Sequence, residues 1–218
     1  MSVHYMNSKK GERVKMNPTK LQNVILFVVS NCDHSCGRVE LAKIIYLIDV
    51  ESMKFSDSTI TGGEYRRRKK GPLAIGFGNQ INQMNGYELK ISEVSSNGKS
   101  GIPKLSHTLG DSPRFEITLD PMDLTIIQRV LTRIKGLDPM EIQNMAYGTE
   151  PMKAVLDEEE KLGHQLNGRS IDFSNVKKNK IYEAWKRNKS EPDSMSKEYR
   201  DFLARDRAEV DELINSWG

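Results

Sequence analysis

The chain has 218 residues, 37% hydrophobic and 29% charged, with a formal net charge of +3. That length holds one sizeable domain or one domain with an extension, and the composition suits a globular protein with a generous polar surface. A charge so near balance falls short of a dedicated nucleic-acid binder, and the densest apolar run, Val24 to Val29, is far too short to span a membrane.

The opening MSVHYMNSKKGERVK has no apolar core of the secretory type, and residues 1–15 are too polar to pack, so a mobile tail is expected there. Two close cysteines, Cys32 and Cys36, in a chain without an export signal point to a reducing cytoplasm and no structural disulfide. Asn17-Pro18 has the form of a helix start, Asn as cap and Pro at the first helical position. Leu21, Val24, Ile25, Val28 and Val29 then lie on one helical stripe. The polar stretch Asn31 to Gly37 breaks it. A second helix, Arg38 to Met53, is apolar on more than one face and belongs in the middle of a domain.

From Thr59 the pattern predicts a short extended segment that Gly71-Pro72 ends. Pro72 opens a helix carrying Leu73, Ile75, Phe77 and Ile81. Tyr87, Leu89 and Ile91 alternate with polar residues, as do Phe115, Ile117 and Leu119, and each set predicts a strand. SSNGKSGIPKLSHTLGDSP between them is expected to be a loop. Asp120-Pro121 and Asp138-Pro139 each carry an acid three residues after the Asp, the signature of a helix N-terminus. A further helix is expected over Pro151 to Leu162, stopped by Gly163. Beyond Asp172 cations outnumber acids, and a last helix over Met195 to Trp217 carries Tyr199, Phe202, Leu203, Val210, Leu213, Ile214 and Trp217 on one side. The fold class is α+β, mainly helical with a small antiparallel sheet. The domain is expected over 16–176, with a helical C-terminal extension over 177–218.

Chemistry is weakly signalled. Glu93 to Ser100 ends like a phosphate loop but places Glu93 where the first glycine belongs, and a carboxylate there repels phosphate. Gly76-Phe77-Gly78 is only a fragment of a dinucleotide fingerprint, with Ile81 where the last glycine belongs. Cys32, His34 and Cys36 offer three metal donors at two-residue spacing without a second cysteine pair, so they read as a polar turn; no metal and no cofactor are expected. Neither a Gly-x-Ser-x-Gly nor a His-Glu-x-x-His is present, and a non-enzyme is expected. The cations Arg66 to Lys70 cannot form one stripe if extended, because alternate side chains face opposite ways. A solvated strand, a protein contact and a nucleic-acid contact are the readings in that order. The alternative function is a DNA-binding regulator using Arg66–Lys70 with the basic 177–189 stretch.

LAKIIYLIDVESMKFSDSTITGGEYRRRKKGPLAIG, residues 41–76, resembles the signature of the Panacea domain, the SocA-like antitoxin family. There a K-[IL]-[IL]-Y-hydrophobic-x-D helix precedes an I-T-G turn, an aromatic and a late G-P. The positions here are Lys43, Ile44, Ile45, Tyr46 and Asp49, then Ile60, Thr61, Gly62, Tyr65, Gly71 and Pro72. TEPMKAVLDEEEKLGHQLNGRSIDFS is similar to the family's closing helix and G-x-x-hydrophobic-D tail. The resemblance covers about residues 17–175. It implies a non-enzymatic antitoxin of a prophage or bacterial-defence pair that binds a cognate protein toxin. In one branch it resembles a proteolytic adaptor handing the toxin to an ATP-dependent protease. No membrane partner is expected, and nucleic acid ranks behind protein. A partner contact needs an aromatic or Arg anchor; the candidates are Tyr65 with Arg66, Arg67 and Arg68, and the last helix through Tyr199, Phe202 and Trp217.

Overall fold

The computed structural model describes residues 18–32, 34, 36–94, 104–111, 113–180 and 182–183. The expected tail over 1–15, the cap Asn17 and the final helix with Tyr199, Phe202 and Trp217 lie outside these residues. The first helix, α1 (Lys20–Asn31), is capped by Thr19 rather than Asn17. Thr19 Oγ1 accepts the Gln22 N–H at 3.1 Å and Gln22 returns a carbonyl to the Thr19 N–H at 2.8 Å. A side-chain cap with a reciprocal partner outcompetes the Asn-Pro pair two residues earlier, and Pro18 simply precedes the helix. The predicted stripe Leu21, Val24, Ile25, Val28 and Val29 is buried.

A two-residue strand, β1 (Cys36–Gly37), leads into α2 (Arg38–Phe55). Glu40 in its first turn takes the Gly37 N–H at 3.0 Å, which satisfies one of the orphan donors of the helix start. Leu41, Ile44, Ile45, Ile48 and Val50 are all buried. Each fully buried aliphatic contributes about 1.5–3 kcal/mol, so α2 is the spine of the core. It packs against α1, α4 (Pro121–Ile134), α5 (Pro139–Tyr147) and the strand β3 (Gly71–Ala74).

The segment after α2 departs from expectation. β2 (Tyr65–Arg68) and β3 form a hairpin in which Arg68 pairs with Gly71 and Arg67 with Pro72. Pro72 is therefore a strand residue, and the helix it was expected to open, α3 (Phe77–Met84), starts five residues later behind Gly76. A proline is tolerated here because β3 is an edge strand and needs no N–H on that side. Gly71 sits at φ +99°, and a Cβ would meet Lys43 Cε at 2.9 Å and Tyr147 Cε2 at 3.0 Å. Only glycine fits this turn.

β4 (Leu89–Val94) answers the first alternating stretch. Its partner is β5 (Lys104–Leu109), inside the stretch expected to be a loop, while Phe115 to Leu119 forms no strand. The Thr118 N–H goes instead to the Asn23 side chain at 3.0 Å. Asp120 and Asp138 cap α4 and α5 as predicted, and α6 (Glu150–Leu162) ends at Gly163. β6 (Ser170–Ile171) returns to β2. Among the described residues the fold is α+β and mainly helical, with two small antiparallel sheets rather than one, ordered β1-β5-β4 and β3-β2-β6. No described helix is long and apolar enough to cross a membrane.

Candidate functional site

The motif residues converge on the interior. Lys43, Tyr46 and Asp49 occupy successive turns of α2, each 2% exposed or less. Asp49 receives three donors from the segment that follows: the Thr61 N–H at 3.0 Å, the Thr61 hydroxyl, and the Tyr65 hydroxyl at 2.7 Å. A buried carboxylate demands such company. Burial still pushes the Asp49 carboxyl up from the ordinary range, against the pull of these hydrogen bonds. Burial and the neighbouring Asp49 push the Tyr65 phenol well above its usual range. Gly62, at φ +66°, lets the chain turn between Thr61 and Tyr65.

Tyr46 reaches the other way. Its hydroxyl shares a 2.8 Å hydrogen bond with Thr149 at the head of α6. Its ring meets Tyr65 edge-on at 5.3 Å, and Phe173 packs against both rings at 5.7 and 5.3 Å. Such aromatic pairs add about 0.5–1.5 kcal/mol beyond burial. Lys43 donates to the Pro72 carbonyl at 2.8 Å, joining α2 to the edge of the hairpin. Burial, with the Arg67 charge adding to it, lowers the Lys43 ammonium to about 8. The motif is thus a polar clasp between α2, the Thr61 turn and the hairpin.

The basic run divides by the strand alternation. Tyr65 (1% exposed) and Arg67 (3%) point inward, while Arg66, Arg68, Lys69 and Lys70 are exposed. Arg67 grips Glu159 of α6 through Nε at 2.9 Å and Nη2 at 3.2 Å, and donates to the Tyr147 hydroxyl at 3.1 Å. Burial works to raise Glu159, but the hydrogen bonds from Arg67 and the Leu166 N–H, with the Arg67 charge, hold it below the usual carboxylate range. The backbone joins in: Arg67 N–H donates to Arg169 O at 2.8 Å and Gly168 N–H to Arg67 O at 2.7 Å. Among the candidate anchors, the buried Tyr65 and Arg67 belong to the framework, which leaves Arg66 and Arg68 on the surface. They flank a groove of about 360 Å³ with Leu73, Ile75 and Asn79. Ile75 is 47% exposed.

A second cluster lies at the start of α2. His34, Cys36 and Glu40 place their donor atoms within 4.8 Å of one another. His34 Nε2 is 2.8 Å from Glu40 Oε1. His34 and Glu40 line a cleft of about 600 Å³ together with Cys32, Leu131, Leu137 and Ile142.

Sequence reasoning missed Glu159, Thr149, Tyr147 and Phe173 as partners of the motif, and Glu40 beside His34 and Cys36. Only Glu40 had a local signal: an acid in the first turn of a helix, four residues after Cys36.

A helical α+β domain whose polar motif clasps its central helix to a basic hairpin now has a counterpart. The family model "Antitoxin SocA-like, Panacea domain" matches residues 41–153, just over half of the chain. The chain belongs to the SocA-like Panacea family. No curated protein and no solved structure matches it.

Proposed function

We propose that this chain is the antitoxin of a toxin–antitoxin pair, that it works in the cytoplasm, and that it neutralises its cognate protein toxin by direct binding rather than by catalysis. One observation carries the reading beyond the family itself: the motif residues are turned inward. Lys43, Tyr46, Asp49, Thr61 and Tyr65 are buried and hydrogen-bonded to the fold. Side chains committed in this way serve a shared framework, and partner choice falls to the exterior.

On that exterior the hairpin offers cations beside apolar surface. Arg66, Arg68, Lys69 and Lys70 speed encounter with an acidic toxin surface, and Leu73 and Ile75 supply an apolar floor. Delivery of the bound toxin to an ATP-dependent protease is the catalytic-partner form of the same function.

Co-expression with the neighbouring toxin gene tests the proposal. Growth is restored and the two proteins co-purify; failure of both rejects it. In the adaptor form the toxin's half-life shortens only where the protease is present. A DNA-binding role for the four outward cations predicts retention on DNA that falls steeply with salt, and no retention at low salt removes it.

A further inference from the structure

We propose that His34, Cys36 and Glu40 form a binding site for a divalent transition metal of zinc's chemical class, at the mouth of the cleft lined by α2, α4 and the start of α5. The donors are an imidazole nitrogen, a thiol sulfur and a carboxylate oxygen, the set that zinc takes. They come from seven consecutive residues: the turn before β1, β1 itself, and the first turn of α2. Their donor atoms lie within 4.8 Å of one another. On tetrahedral zinc, with bonds of about 2.0–2.3 Å, two donors stand roughly 3.3–3.7 Å apart, so the three need only small shifts to close on one ion.

The shift that matters is available. The 2.8 Å contact between His34 Nε2 and Glu40 Oε1 is the hydrogen bond that the ion replaces. The His34 side chain is 51% exposed, with solvent on one side into which it swings as the ion enters. The other two ligands are fixed. Glu40 is 4% exposed and keeps its second oxygen on the Gly37 N–H at 3.0 Å. Cys36 is fully buried, and its carbonyl is held by His107 Nδ1 at 2.9 Å. Outer contacts of this kind orient metal ligands before the ion arrives.

Capping of α2 accounts for one Glu40 oxygen. It does not explain why a buried thiol and an imidazole stand beside the same carboxylate. Three protein ligands leave a fourth position, and the cleft beside His34 and Glu40 is where a water or a partner's donor atom enters.

The test uses the untagged full chain, stripped with chelator and titrated with Zn²⁺ by calorimetry and with Co²⁺ by absorption. One ion binds per chain, and cobalt gives a thiolate charge-transfer band with the strong visible bands of four-coordination. His34→Ala and Glu40→Gln keep a native circular dichroism spectrum and weaken binding tenfold or more, since losing even outer support costs about 10–100-fold. Cys36→Ser removes the charge-transfer band, and Cys32→Ser keeps both the stoichiometry and the band. Absence of stoichiometric binding overturns the proposal. So does binding that survives His34→Ala and Glu40→Gln unchanged, or that is lost with Cys32→Ser alone.

Discussion

Arg67 of the hairpin and Glu159 of α6, far apart in sequence, meet in a two-pronged pair at 2.9 and 3.2 Å, with the Arg67 side chain 4% exposed. The pair closes the β-layer over the helices, so its loss acts on folding rather than on partner contact. Glu159→Ala leaves a guanidinium buried without its carboxylate and costs about 3 kcal/mol, the low end for a broken buried pair because Glu159 keeps some solvent. Arg67→Met combined with Glu159→Leu removes both charges and keeps their volume, and is far milder. Urea unfolding of the two variants checks this. Equal losses contradict it.

The clasp at Asp49 makes a sharper demand. Asp49→Ala leaves the Thr61 N–H, the Thr61 hydroxyl and the Tyr65 hydroxyl without their acceptor. Each unsatisfied buried donor costs about 1–3 kcal/mol, so the variant loses on the order of 4 kcal/mol and expresses as a poorly folded chain. Tyr65→Phe removes one donor of the three together with its need for a partner, and costs about 1 kcal/mol. Denaturant midpoints of the two variants give the ranking; Tyr65→Phe as damaging as Asp49→Ala rejects it.

These two relationships also mark what the sequence can and cannot disclose. Helix starts were legible at Asp120 and Asp138 because a cap is local chemistry, complete within four residues. The burial of α2 was legible because its apolar residues leave no wet stripe. Pro72 misled because one proline suits a first helical turn and an edge strand alike, and the choice rests on β2 lying beside it. β5 escaped because its buried residues are Ser106 and His107, adjacent and polar, while Leu109 is exposed. Its strand character comes from β1 and β4 on either side. Phe115 to Leu119 alternates without a neighbouring strand, and alternation alone does not make a sheet. Tyr65 and Arg67 looked like anchors because aromatic and Arg residues favour interfaces and buried pairs equally. Glu159 lay too far along the chain to break that tie.

Lys43 gives the fold a signature at alkaline pH. Its ammonium titrates near 8 in the folded protein and near the ordinary lysine value when unfolded. Below pH 8 both states carry the proton and the fold bears the full cost of burying the charge. Between about 8 and 10.5 the unfolded chain binds more protons, so stability rises with pH. The gain is about 1–3 kcal/mol across that window. Denaturant midpoints at pH 7.5 and 10 measure it, and Lys43→Met, which carries no charge at either pH, lacks the rise. A wild-type curve parallel to that of Lys43→Met rules out a strained ammonium.

On the proposed function, the outward cations of the hairpin serve recognition and not folding. Arg66 and Arg68 are exposed, and among the described residues no ion pair engages them. Reversing both to Glu therefore changes stability by about 0.5 kcal/mol at most, as for other surface substitutions away from built features. On the proposed function its effect falls on encounter. Where an acidic toxin surface is drawn in by these cations, the double reversal slows association about tenfold or more at low salt, and added salt narrows the gap. Lys69→Glu with Lys70→Glu at the hairpin tip acts in the same direction. Stopped-flow association with the co-purifying toxin at two ionic strengths reads the effect directly. A rate that is unchanged at low salt, with the variant still neutralising the toxin in cells, moves the contact surface away from the hairpin and leaves the antitoxin reading to be placed elsewhere on the domain.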